Sequence, residues 1–201
     1  MARQRLAGTQ RRYAATLAAL LSAALILSGC TVTRAISDDG VIEQDPTKRT
    51  MGTRIDDTTL TRLALVNISR ASEDLRRANV GVSSHNGNVL MVGQVPSEEA
   101  KSLAEQEVLE LKKVRRVYNE LEVAGPTSLL TRSGDAWVTS KVKSQLLASE
   151  NVRGLNVKVV TENGITYLMG LVTRLEAEQA TEITRNVGGV TQVVRLFEYV
   201  D

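Results

Sequence analysis

The chain has 201 residues, with 25 Lys and Arg against 23 Asp and Glu and a formal charge of +2. Four arginines, Arg3, Arg5, Arg11 and Arg12, crowd the start without one acid, so residues 31–201 carry −2. A near-neutral chain offers no field to hold a polyphosphate, which argues against a nucleic-acid partner. The 171 residues beyond position 30 fill one domain or two small ones.

Chain order begins with that basic segment and the almost wholly apolar run Ala14 to Leu27. This is the pattern of an export signal, spanning 1–29, and the run is shorter than the roughly 20 residues a membrane-crossing helix needs. It ends in Leu27-Ser28-Gly29-Cys30, which resembles the bacterial lipobox. Cys30 is therefore expected to carry diacylglycerol and an acyl chain such as palmitate. Ordinary cleavage would instead leave an odd, reactive thiol. The next residue is Thr31 rather than Asp. By resemblance to enterobacterial sorting rules, this favours lipid anchoring on the periplasmic face of the outer membrane. Residues 30–53 are polar, hold Gly40, Pro46 and Gly52, and read as a flexible tether.

An internal repeat follows. Asn79 to Val95 aligns without gaps onto Asn156 to Val172, with identities at Asn79/Asn156, Val80/Val157, Val82/Val159, Asn86/Asn163, Gly87/Gly164, Gly93/Gly170 and Val95/Val172. Each copy places Asn-Gly between two short apolar runs, the signature of a two-residue hairpin. A helical stretch comes next in each, marked by Ala100, Leu103, Ala104, Val108 and Leu111 and by Ala180, Ile183 and Val187. A strand closes each copy, with Val117, Leu121 and Val123 matching Val193, Phe197 and Tyr199. A helix also precedes each hairpin, roughly Asp56 to Arg77 and Asp135 to Ser149. Each copy thus reads helix, strand, strand, helix, strand. That order predicts an α+β fold of two tandem domains, 54–123 and 134–201, with helices on one face of a three-stranded sheet. A linker at 124–133 holds Pro126.

In order and motifs the chain resembles the BON domain family, found in osmotically induced periplasmic proteins and envelope lipoproteins. The αββαβ order, the central glycines Gly93 and Gly170, and the stretches Val92-Gly93-Gln94, Val117-Tyr118-Asn119-Glu120, Asp135-Ala136-Trp137-Val138 and Leu168-Met169-Gly170-Leu171-Val172 carry the likeness. The resemblance implies a non-enzymatic protein that binds anionic phospholipid, concentrates at division sites and supports outer-membrane integrity. It also implies that the first helix of the second domain touches lipid, which places Trp137 and Leu147 at the contact.

The sequence of this helix bears on that contact by itself. At about 100° per residue, Val138, Val142, Gln145, Leu146 and Ser149 form one stripe assigned to the core. Trp137 and Leu147 point away, with Ser140 and Ser144 between them. Lys141 and Lys143 flank that face and would meet lipid phosphates, each contributing about 1 kcal/mol near an anionic surface. From the residues alone two readings stay open: insertion into the headgroup boundary, or packing of Trp137 and Leu147 against the first domain or the linker. The resemblance favours the first, with phosphatidylglycerol or cardiolipin as the lipid. The competing function is a protein-interaction scaffold gripping an outer-membrane assembly or cell-wall factor.

Gly93 and Gly170 read as structural glycines, where a side chain would meet a crossing helix. No catalytic residue and no metal or cofactor site is expected. The single histidine, His85, precedes an Asn-Gly turn and reads as solvated, and no His–carboxylate spacing suggests a metal. The acid pairs Asp56-Asp57 and Glu98-Glu99 sit near helix starts, where the helix dipole favours them. Gly188-Gly189 lacks any phosphate-loop pattern and reads as a helix end.

Overall fold

The computed structural model describes residues 47–201. The expected export signal, Cys30 and most of the tether lie outside those residues. Helix α1 (Met51–Ala71) starts where the Thr50 hydroxyl accepts the Thr53 N–H at 3.1 Å. It stops at Ser72, whose extended backbone and hydroxyl, accepting from the Leu75 N–H, start the short helix α2 (Glu73–Arg77). The single helix expected over 56–77 is therefore two, because the serine hydroxyl offers the chain a second cap.

Strands β1 (Asn79–His85) and β2 (Asn88–Val95) pair as an antiparallel hairpin. Asn86 and Gly87 close it with φ of 53° and 76°, the paired positive angles that two-residue hairpins require. Helix α3 (Glu98–Leu109) crosses over, with Glu98 and Glu99 in its first turn, and β3 (Arg116–Val123) lies parallel on the far side of β2. The second copy repeats the plan with α4 (Leu129–Ala148), a 3₁₀ turn at Gly154–Asn156, β4 (Val157–Glu162), β5 (Ile165–Val172), α5 (Arg174–Arg185) and β6 (Gln192–Tyr199). Its sheet order is β4-β5-β6, with the same strand directions as β1-β2-β3.

Two boundaries differ from the sequence expectation. Helix α4 begins inside the expected linker, because the Ser128 hydroxyl accepts the Thr131 N–H at 3.1 Å and starts it six residues before Asp135. The described end of the tether is also structured. Thr47 is 3% exposed and accepts from Asn156 Nδ2 at 3.2 Å, and Arg49 pairs with Asp57.

Each central strand is apolar on both faces, and the two faces have different partners. Val89, Met91 and Val95 of β2 pack with Ala64, Ile68, Ala104 and Val108 on the helix side. Leu168 and Val172 of β5 pack likewise with Val138, Val142, Leu146 and Ala180. The alternate residues, Leu90 and Val92 of β2 with Tyr167 and Met169 of β5 and Leu196 of β6, form a third core. The two sheets therefore stand back to back, with helices on the outer sides. Polar bonds surround this seam: Gln94 Nε2 donates to Glu162 at 2.9 Å, Asn86 Nδ2 to Glu198 at 2.8 Å, Lys158 Nζ to the Ser84 carbonyl at 3.0 Å, and Arg115 pairs with Glu198 at 2.7 Å. The described residues 47–201 fall in one compact unit, so a fragment starting at residue 31 retains all of these contacts.

The obstacle at the two central glycines is backbone rather than a crossing helix. A Cβ on Gly93 would lie 1.9 Å from the Asn79 carbonyl oxygen, and one on Gly170 2.6 Å from that of Asn156. Gly93 also holds φ of +116°, which side-chain-bearing residues rarely adopt. Gly93→Ala is expected to lower stability by about 3 kcal/mol, and Gly170→Ala by less, in denaturant unfolding. Equal, negligible losses at both would contradict this account.

Candidate lipid-binding site

Helix α4 is fixed from below by three apolar residues and one acid. Val138, Val142 and Leu146 are at most 6% exposed. Asp135, also buried, accepts the Asn163 and Gly164 N–H groups at 2.9 Å each, tying the helix to the β4–β5 turn. The first domain repeats the device: Asp57 accepts from Asn86 and Gly87 at 2.8 and 2.9 Å, from the Ser84 hydroxyl and from Arg49. Burial would raise the Asp57 carboxyl, but these donors outweigh it and hold the pKa below its ordinary value. Asp57 is thus a turn-binding group, not the helix-dipole acid expected from sequence. Gln145, placed in the core stripe by the wheel, is exposed, and Ser149 sits beyond the helix as its cap.

The opposite face of α4 is open. Trp137 is 66% exposed and Leu147 55%, so neither is packed against the first domain. Ser140 and Ser144 lie exposed between them, and the Ser140 hydroxyl donates back to the Ala136 carbonyl at 3.0 Å, presenting little unsatisfied polarity. Lys143 is exposed. Lys141 departs from expectation: it is half-buried, and its ammonium donates to the Gly188 carbonyl in the turn after α5.

Three large residues on this side were missed by sequence reasoning. Leu129 and Leu130, 77% and 83% exposed, open the helix. At about 100° per residue Leu130 falls near Trp137 and Leu129 near Leu147, so the apolar face runs about 27 Å from Leu129 to Leu147. The signal was present as Ser128, a capping residue, directly before a Leu pair; the nearby Pro126 drew that stretch into the linker. Leu155, 82% exposed, stands beside Leu147, both lining one hollow.

Among the described residues no helix is long and apolar enough to cross a membrane, and no group of three or more His, Cys, Asp or Glu is placed to hold a metal. Glu176 is held at about 2 chiefly by the Arg153 guanidinium, against the upward push of burial, with the Thr173 N–H adding to the effect. Its role is structural, in the capping box of α5. His85 is not solvated but 2% exposed, and its Nε2 has no hydrogen-bond partner. Burial lowers its pKa to about 4, helped by the charge of Arg49, opposed by Asp57, and helped again by Lys158.

Two successive αββαβ units with these central glycines define a dual-domain α+β protein, and the family model described as BON domain matches residues 56–125 and 134–201. The chain belongs to the BON domain family. It is similar to the Outer membrane lipoprotein DolP of Haemophilus influenzae, 37% identical over 92% of this chain and 96% of that one, and is a dual BON-domain, DolP-like protein. It is also 35% identical to the 21 kDa hemolysin of Actinobacillus pleuropneumoniae, over 76% of this chain and 78% of that one. A solved structure of the C-terminal domain of CdsD, a structural protein of the type III secretion system of Chlamydia trachomatis, aligns at 13% identity. It covers 68% of this chain and 96% of that one with a TM-score of 0.30.

The His85 environment sets a pH dependence. The unfolded chain protonates this imidazole near 6.5, whereas the folded protein resists until about 4, so the unfolded state binds more protons between those values. Stability is then fully present above pH 6.5 and falls as pH drops toward 4, by up to about 3 kcal/mol. His85→Gln should flatten thermal unfolding midpoints between pH 5 and 6.5. An unchanged slope in that variant would contradict the assignment.

Proposed function

We propose that this chain is a lipoprotein of the outer membrane, anchored through lipid on Cys30 at the periplasmic face, whose second domain docks on anionic phospholipid through α4. Its role is recognition rather than catalysis: it supports outer-membrane integrity and gathers where lipid composition suits it, division sites included. The observation that carries this reading is the open face of α4, where Trp137 and Leu147 stand 66% and 55% exposed on a helix fixed by its buried side. Leu129 and Leu130 extend that face, giving a length suited to lying in the headgroup boundary. The similarity to a protein named an outer membrane lipoprotein supports the location.

The chemistry divides between two groups of side chains. Apolar residues would enter the boundary, while Lys143, exposed beside Leu147, would meet phosphate; Lys141, bonded to Gly188, contributes field more than contact. An anchored protein needs only weak further affinity to sort laterally, since tethering raises the effective concentration of lipid.

The fragment 31–201 should sediment with vesicles containing phosphatidylglycerol or cardiolipin and not with phosphatidylcholine alone. Trp137→Glu should weaken that binding by about tenfold or more, since a charge replaces the aromatic that would enter the headgroup boundary. Equal sedimentation with neutral and anionic vesicles, or an unaffected Trp137→Glu protein, would defeat the lipid reading and leave the protein-scaffold alternative.

A further inference from the structure

A cleft of about 470 Å³ opens between α1 of the first domain and α4 with β4 of the second. Arg49, Arg54 and Arg62 line it from one side, Lys143 and Lys158 from the other, and Asp57 is its single acid. Asp57 does not neutralise this group: its oxygens are engaged by the Asn86 and Gly87 N–H groups, the Ser84 hydroxyl and Arg49 alone among the cations. Four cations remain. The side chains of Arg54, Arg62 and Lys143 make no ion pair or hydrogen bond among the described residues, and Lys158 spends one N–H on the Ser84 carbonyl at 3.0 Å.

So many like charges around one concavity repel each other, and the single acid Asp57 offsets only part of them. Lys158 shows the cost: burial lowers its pKa, and Arg49 and Lys143 push it down further while Asp57 opposes. An anion with several acceptor oxygens relieves this arrangement by accepting from the arginine forks and both ammonium groups together. The rim identifies what carries the anion. Leu155, 82% exposed, lines the cleft and also lines the adjoining hollow with Leu147. Lys143 stands about 40° from Leu147 around α4. The charged concavity therefore opens beside the apolar end of the face assigned to the membrane.

We propose that this inter-domain cleft seats the phosphate of an anionic glycerophospholipid, with Arg54 and Arg62 of the first domain closing on it opposite Lys143 and Lys158 of the second. The inference rests on the lipid reading of α4 and extends it, since it makes the first domain part of the lipid site. Leu147 and Leu155 enter the boundary, and the headgroup below them turns into the cleft.

The test uses fragment 31–201 and four measurements. Arg54→Ala with Arg62→Ala removes two exposed side chains, so unchanged thermal unfolding is expected. Its binding to phosphatidylglycerol vesicles should fall about tenfold or more, at roughly 1 kcal/mol per basic residue near an anionic surface. Arg70→Ala with Lys112→Ala, which takes the same charge from outside the cleft, should lose at most a fewfold. Short-chain phosphatidylglycerol should shift the amide resonances of Arg54, Arg62 and Lys158, and the double arginine variant should abolish those shifts. If the two double variants lose binding equally, or the cleft variant binds like the wild type while Trp137→Glu does not, the cleft proposal is overturned and the α4 reading survives. If inorganic phosphate shifts the same resonances as strongly as the lipid does, the cleft serves soluble phosphate and the lipid assignment is wrong. If the wild-type fragment binds no anionic vesicle, both readings fail together.

Discussion

Apolar contact between the two helix-free sheet faces governs this molecule. A three-stranded sheet with helices on one side leaves its other side to water, and both β2 and β5 are apolar on that side as well. Leu90, Val92, Tyr167, Met169 and Leu196 solve this by covering one another. Everything of functional interest inherits its placement from that seam. The α1 helix of one domain and α4 of the other are brought to the two sides of one cleft only because their sheets are joined back to back.

The duplicated sequence did more than double a fold. Both copies use a buried aspartate on the first helix to hold the Asn-Gly turn of the following hairpin, so each first helix is locked to its own sheet at the same point. The copies then diverge at their surfaces. Helix α4 carries exposed Leu129, Leu130, Trp137 and Leu147, while α1 exposes Met51, Ile55, Leu63, Leu65 and Val66 and also turns Arg54 and Arg62 toward the cleft. A shared scaffold that sets an apolar helix face beside a cationic cleft suits a surface that is itself apolar inside and anionic at its boundary.

Much of this was legible in the residues. The Asn-Gly turns, the repeat and the outward pair Trp137 and Leu147 follow from local sequence pattern. What was not legible depends on contacts distant in sequence. His85 is buried and meets a backbone group of Asn156 in the second domain, and no local pattern marks either fact. Lys141 meets a carbonyl 47 residues away. The glycine obstacle was placed on a helix because sequence shows that a side chain is barred, not which atom bars it. Helix starts were missed for a different reason: Thr50 and Ser128 are capping residues inside polar stretches, and composition outweighed them.

The central claim is that the α4 face enters an anionic bilayer, and the chain carries its own probe, since Trp137 is the only tryptophan. Its emission can be followed in the unmodified sequence of fragment 31–201 as vesicles are added. The account predicts a blue shift with phosphatidylglycerol vesicles, quenching by bromine placed just below the headgroups, and neither with phosphatidylcholine. Emission that stays at its solvent-exposed position while the protein is bound to anionic vesicles would show that another surface makes the contact.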